Sequence, residues 1–268
     1  MHPSKPRAED PTLHLPRMLC LHGGGTNARI FRTQCRVLER MLLPTFRLCY
    51  AEAPFPSQAG TDVGSVYADF KPFKAWLRWL PDEPERDAHT AVEQIELSLC
   101  QAMADDDLKG ATGEWVALLG FSQGAKMCAS LLFAQQMRKG EPGMNRPWPQ
   151  FRFAVLLAGR GPLVSLTPEL PMPRGLVDAS TISTMSHEQN LRSTDHILQI
   201  PTIHVHGMSD PGLILHRELL EQYCGRTSAR LVQWDGEHRV PIKTKDTTAV
   251  VSEIISMARD TGVLSAYV

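Results

Sequence analysis

Apolar residues in this chain gather into short dense runs separated by longer amphipathic stretches. Arg17–Leu21 is one such run, closed by His22-Gly-Gly-Gly25, and a compact apolar run ending in glycines predicts a buried strand. Phe46–Tyr50, Trp115–Leu119, Phe153–Leu157, Thr202–His206 and Arg230–Trp234 repeat the pattern. Between them the apolar positions take helical spacing. Ile30, Phe31, Cys35, Leu38 and Leu42 predict one helix, and Ala91, Val92, Ile95, Leu99 and Met103 predict another over 88–104. Further helices are expected over 125–138, 213–223 and 247–257. Strands alternating with helices predict an α/β fold, a mostly parallel sheet flanked by helices on both faces.

Some stretches break the rhythm. The two prolines of Ala53-Pro-Phe-Pro56 should end any regular element, and 57–68 should be loop. Phe70, Phe73, Trp76, Leu77 and Leu80 cluster near an expected short helix. Asp105-Asp-Asp107 reads as a solvated turn. Residues 1–16 are polar and proline-rich, a loose N-terminal arm on a single domain spanning 1–268. From Gly159 to about Gln199 periodicity fails over too long a span for a bare connection, so 159–199 is expected to be an insertion with some helix of its own, or a cap over a site.

Composition narrows the function. With 268 residues, 43% hydrophobic and 21% charged, the chain can bury one large core, and a net charge of -1 leaves no footprint for nucleic acid or an anionic membrane. No run approaches the roughly 20 apolar residues of a membrane span, and the polar N-terminus lacks the apolar region of a secretory signal. The six cysteines form no C-x-x-C pair, and Cys20 and Cys49 fall inside strands. A reduced, cytoplasmic protein is expected.

Gly120-Phe-Ser-Gln-Gly124 matches G-x-S-x-G and sits between a predicted strand and a predicted helix. That is the setting the nucleophile turn of the α/β-hydrolase fold requires. Ser122 is the candidate nucleophile. A serine hydroxyl needs a base, and in this fold the acid and then the histidine follow in chain order. Asp210 lies just past the Thr202–His206 strand and His238 just past Arg230–Trp234, where the sites of such sheets collect. Asp235 and Glu237 are rival acids, but neighbours on one loop seldom aim back at their own imidazole. Two backbone N–H groups should hold the oxyanion: that of Gln123, after the nucleophile, and one from the glycine loop, Gly24 ahead of Gly25. His204 and His206 share a strand face, but no third ligand has metal spacing, so packed histidines are the better reading and no metal is expected.

Leu21-His-Gly-Gly-Gly-Thr-Asn27 with Phe31, Ala53-Pro-Phe-Pro56, Gly120-Phe-Ser-Gln-Gly124, His206-Gly-Met-Ser-Asp210 and Gly236-Glu-His238 occur in this order from about residue 17 to about residue 260. Together they resemble the fungal family of small serine hydrolases that also contains polyketide-releasing thioesterases. The resemblance implies a hydrolase without metal or organic cofactor, with Ser122, Asp210 and His238 as the triad. It also implies a small-molecule acyl substrate, presented by the acyl carrier domain of a polyketide synthase. An acyl chain needs an apolar slot, and Phe31, Phe55, Tyr67, Phe70, Trp76 and Trp148 are candidates to line it. The alternatives are a general carboxylesterase and a scaffold that binds without turnover. The joint presence of triad and glycine loop argues against the scaffold.

Overall fold

Each of the six apolar runs becomes a strand, and all six lie side by side in one sheet. The structure, a computed structural model, describes residues 10–60, 63–139, 148–183 and 194–265. In chain order the elements are β1 (Arg17–Leu21), α1 (Ala28–Gln34), α2 (Arg36–Leu42), β2 (Arg47–Ala51), β3 (Phe55–Pro56), α3 (Val63–Val66), a 3-10 turn (Ala68–Phe70), β4 (Lys74–Ala75), α4 (Ala88–Asp107), β5 (Trp115–Phe121), α5 (Gln123–Arg138), β6 (Phe153–Leu157), β7 (Thr202–Gly207), α6 (Leu213–Tyr223), β8 (Ala229–Trp234) and α7 (Thr244–Asp260). The large sheet runs β2-β1-β5-β6-β7-β8, and every neighbouring pair is parallel.

Both faces of this sheet are buried, which is why its central strands read as continuous apolar runs. Leu19, Leu21, Leu118, Ala154 and Leu156 share one core with α4, α5 and α6. Met18, Cys20, Leu119, Val155 and Leu157 point the other way into a second core with α1, α2 and α7. Asn27 and Asp87 cap α1 and α4 by accepting the N–H of Ile30 and Thr90.

Several expectations are corrected. The helix predicted from Ile30 to Leu42 is two, because Cys35 leaves helical backbone at φ −81°, ψ 2°. Pro56 does not end regular structure: β3 and β4 pair antiparallel, and a two-residue ladder spares proline's missing donor. Val63–Val66, expected as loop, is a helical turn. Asp105–Asp107 is the last turn of α4 rather than a solvated turn, since Asp106 is buried against Arg47 and Arg17. The arm is fastened from Asp10 on: Asp10 pairs with Arg47, and Thr112 N–H donates to Leu13 O. Its residues 1–9 lie outside the described residues.

The 159–199 segment has no helix among its described residues, and its 184–193 lie outside them. Instead Val164 bridges Val177, and Leu163, Leu166 and Leu176 sink into the core beside α5. Apolar side chains without period serve an irregular layer here.

Candidate active site

The strand order creates the site. From β1 the chain moves outward to β2, then returns to the other side of β1 as β5, so the loops after β1 and β5 part on opposite sides of a crevice at the strands' carboxyl ends. Those loops carry His22–Gly25 and Ser122.

Ser122 joins β5 to α5 at φ 53°, ψ −115°, a region that costs a non-glycine residue about 1–3 kcal/mol. The turn is that tight because the backbone crosses itself. A Cβ at Gly120 would run into the Gly124 carbonyl, and one at Gly124 into the carbonyls of Leu21 and His22. Only glycine fits at either place. Ser122 N–H donates to Leu157 O at 2.9 Å, which ties the turn to the end of β6.

Ser122, His238 and Asp210 come together as the sequence places them. Ser122 Oγ is 3.0 Å from His238 Nε2, and His238 Nδ1 is 2.7 Å from Asp210 Oδ2. The His238 ring rests on Phe121, with centroids 5.0 Å apart, and its side chain is 32% exposed, which leaves a path for water. The Asp210 side chain is 1% exposed. Burial by itself would raise its carboxyl. Hydrogen bonds from His216 and His238, the charge of His238 and the Gly212 N–H hold it well below the usual carboxylate range. The rival acids turn away: Asp235 is exposed, and Glu237 pairs with Arg239.

Gln123 and Gly24 also meet. Gln123 opens α5, so its N–H has no acceptor within the helix. A Cβ on Gly24 would stand 3.3 Å from the Gln123 side chain, and a Cβ on Gly23 would stand 3.5 Å from Ser122 Cβ. The Gly25 N–H is already committed to Lys74 O at 2.9 Å, which favours Gly24 as the loop donor. The Gln123 amide is itself a strut. Its Oε1 accepts Trp76 N–H at 2.8 Å, while its Nε2 donates to Leu77 O at 2.9 Å and Ser183 Oγ at 3.1 Å.

Among the six aromatic candidates, Trp76 reaches this machinery: its indole donates to His22 O at 2.9 Å. Phe31 packs on Phe121, Phe55 lies under Arg86, Tyr67 and Phe70 pack edge to face, and Trp148 lies against the core. Their first duty is packing.

His216, on α6, is the functional-site neighbour that pattern reading missed. It is fully buried, with Nε2 2.9 Å from Asp210 Oδ2 and Nδ1 2.9 Å from Gly159 O. The available signal was a histidine in line with Leu219 and Tyr223 on the buried stripe of α6. Asp210, His216 and His238 each offer one ligand atom within 4.8 Å of the others, and this is the set that could hold a metal ion among the described residues. The contacts to Asp210 Oδ2 are of hydrogen-bond length, so protons suffice to bridge them. His204 and His206 pack as buried rings; burial first, then the neighbouring histidines, push them down to about 3 and about 4. Among the described residues no helix is long and apolar enough to cross a membrane.

A family model described as Serine hydrolase (FSH1) matches residues 12–250. The chain is similar to the esterase dbaE of Emericella nidulans, at 61% identity over 268 residues and 96% of each chain. It is also similar to the esterase pigG of Monascus ruber, at 58% identity over 269 residues and 98% of each chain. A solved structure of YahD with malic acid superposes with a TM-score of 0.50 at 10% identity, covering 91% of this chain and 94% of that one. That likeness speaks to the fold alone.

Proposed function

The chain belongs to the FSH1 serine hydrolase family, and from that premise we propose that it cleaves acyl thioesters with Ser122 as nucleophile, His238 as general base and Asp210 as the residue that orients the base. One observation carries the reading: an unbroken hydrogen-bond chain from Ser122 Oγ through His238 to Asp210, at 3.0 and 2.7 Å. His238 Nε2 takes the hydroxyl proton as Oγ attacks the acyl carbonyl, and Asp210 holds the opposite ring N–H and the reactive tautomer. The N–H groups of Gln123 and Gly24 receive the oxyanion. The carbon–sulfur bond breaks, His238 returns the proton to the leaving thiolate, and an acyl-enzyme remains. Water then enters past the exposed edge of His238, loses a proton to it and attacks the acyl carbonyl; the bond to Ser122 Oγ breaks, His238 returns the proton to Oγ, and the acid leaves.

The finer reading is that the acyl group is a polyketide held as a thioester on the carrier domain of its synthase. Its support is the ordered set of motifs and their resemblance to the polyketide-releasing branch. The names of the relatives favour a second reading, a carboxylesterase acting on oxygen esters.

The two part in one experiment. A branched acyl group of medium length is offered as a pantetheine thioester and as the matching oxygen ester, with Ser122→Ala as blank. A kcat/KM at least about tenfold higher for the thioester, and lost in the blank, is expected. Equal or better ester turnover sinks the thioester reading. Turnover surviving in Ser122→Ala, where about 10⁴-fold or more should be lost, sinks the nucleophile assignment.

A further inference from the structure

Both nitrogens of His216 face acceptors. A carbonyl oxygen cannot donate, so Nδ1, 2.9 Å from Gly159 O, carries a proton. A neutral ring would then aim a lone pair from Nε2 at Asp210 Oδ2, 2.9 Å away. Either Asp210 or His216 must hold the extra proton. Asp210 is already used as an acceptor at both oxygens, by Gly212 N–H at 2.7 Å on Oδ1 and by His238 Nδ1 at 2.7 Å on Oδ2. With both oxygens already accepting, the proton is placed on His216 rather than on the carboxyl.

The backbone is bent to make this contact. Ala158 sits at φ 50° and, with Ser122, is one of two non-glycine residues at positive φ among the described residues. Its N–H donates to Val205 O at 3.0 Å, and the turn it makes brings the next carbonyl, that of Gly159, onto His216.

We propose that His216 is a positioning residue held as a buried imidazolium, which clamps Asp210 between the β6 end and His238 and offsets part of the carboxylate's charge. The proposal rests on the reading of Asp210 and His238 given above. Several groups face His216. Asp210 and the stacked ring of His238, 5.9 Å away, come from the loops after β7 and β8. The uncharged rings of His206, at 5.7 Å, and His204 come from β7. Arg160, after β6, lies within the field of Asp210, and Arg217 follows on α6.

A cation on the far side of Asp210 has a kinetic consequence. It makes a proton on His238 less welcome, so the base stays ready at lower pH. Without it the full charge of Asp210 acts on His238, and activity should fail at higher pH.

The test has two arms. In wild-type enzyme labelled with ¹⁵N-histidine, the His216 ring is assigned through its own side chain and its nitrogens are followed by long-range ¹H–¹⁵N spectra. Both nitrogens should carry protons at about pH 7. One bare nitrogen there overturns the proposal. In the second arm, His216→Gln keeps a donor toward Asp210 without the charge. Its kcat/KM should fall about tenfold through kcat, and the acid limb of its profile should rise by about one pH unit. An acid limb that stays put overturns the electrostatic role. The spectra decide the matter even where His216→Gln does not fold. Turnover in Ser122→Ala would sink the mechanism and leave the spectral result standing.

Discussion

At Ser122, the proposed nucleophile, the backbone sets the geometry. The strained turn presents Oγ to His238, and the glycines on either side leave room for the carbonyls of β1 and α5. Asp210 shows the same economy of atoms: each carboxylate oxygen has assigned donors, and none of them is a surface cation. Replacing it with Asn keeps the shape but offers an N–H where His238 needs an acceptor. Asp210→Asn should therefore lower kcat about 10⁴-fold with the fold intact. A loss below about tenfold, measured under single-turnover conditions, would remove Asp210 from its role.

At the scale of elements, the last turn of α4 is a fastener. Asp106 receives Arg47 Nε at 2.9 Å and Nη2 at 2.8 Å, and its second cation, Arg17, stands 3.5 Å away and stacks on Trp115. The cluster ties α4 to β1, β2 and the fastened N-terminal segment. Burial would raise the Asp106 carboxyl, but the Arg47 and Cys49 hydrogen bonds and the charges of Arg47 and Lys109 lower it. A depressed carboxyl stabilises the fold above its unfolded value of 3.8, and that contribution is lost as pH falls through the lower folded value. Asp106→Asn removes the buried charge that two guanidinium groups share, although Arg47 keeps Asp10 and Arg17 keeps Asp107, and should cost about 2 kcal/mol, read as a fall in the urea midpoint. A change under about 0.5 kcal/mol would show that the cluster is ornamental.

Legibility in the sequence also divides by element. All six sheet strands, and α5 and α6 to within a residue or two, follow from period and punctuation, because burial on both faces keeps the central strands β1, β5 and β6 almost wholly apolar. The proposed triad is as legible, since chain order and strand ends place each member. What could not be read was long-range pairing. Asp106 looked like a surface charge because its arginines lie far off in sequence, at 17 and 47. His216 had no signal of its own beyond the buried stripe of α6, because its partners, Gly159 and Asp210, belong to other strand ends.

Across the whole molecule, buried bases and buried acids set opposing slopes. Lys126, one turn into α5, is 1% exposed, its ammonium bonds to Ser183 O, and burial with the nearby Arg160 pulls it down to about 7. The unfolded chain keeps that proton up to 10.5, so stability rises with pH from about 7 upward. His206, held near 4 by burial and its neighbours, adds a rise between about 4 and 6.5. Cys20, Cys35, Cys49 and Cys128, pushed above 9.0 by burial, keep protons that the unfolded chain gives up, so stability declines beyond about 9. Stability should thus peak at mildly alkaline pH. Lys126→Met should be more stable than the parent at pH 7, and its advantage should shrink by about 2 kcal/mol by pH 9. A constant difference, followed by urea titration at each pH, would show that Lys126 is not the source of the slope.

The two strained residues are joined more closely than their numbering suggests. Ser122 hangs from Leu157, and Ala158, the very next residue, hangs from Val205. The ends of β5, β6 and β7 are laced edge to edge, and His216 closes the lacing from the helix side. For anyone hoping to graft this proposed nucleophile onto a designed scaffold, the transferable part is larger than a five-residue motif. It is a seam of three strand tips with α6 behind it, and a transplant that carried the serine turn alone would leave its geometry unsupported.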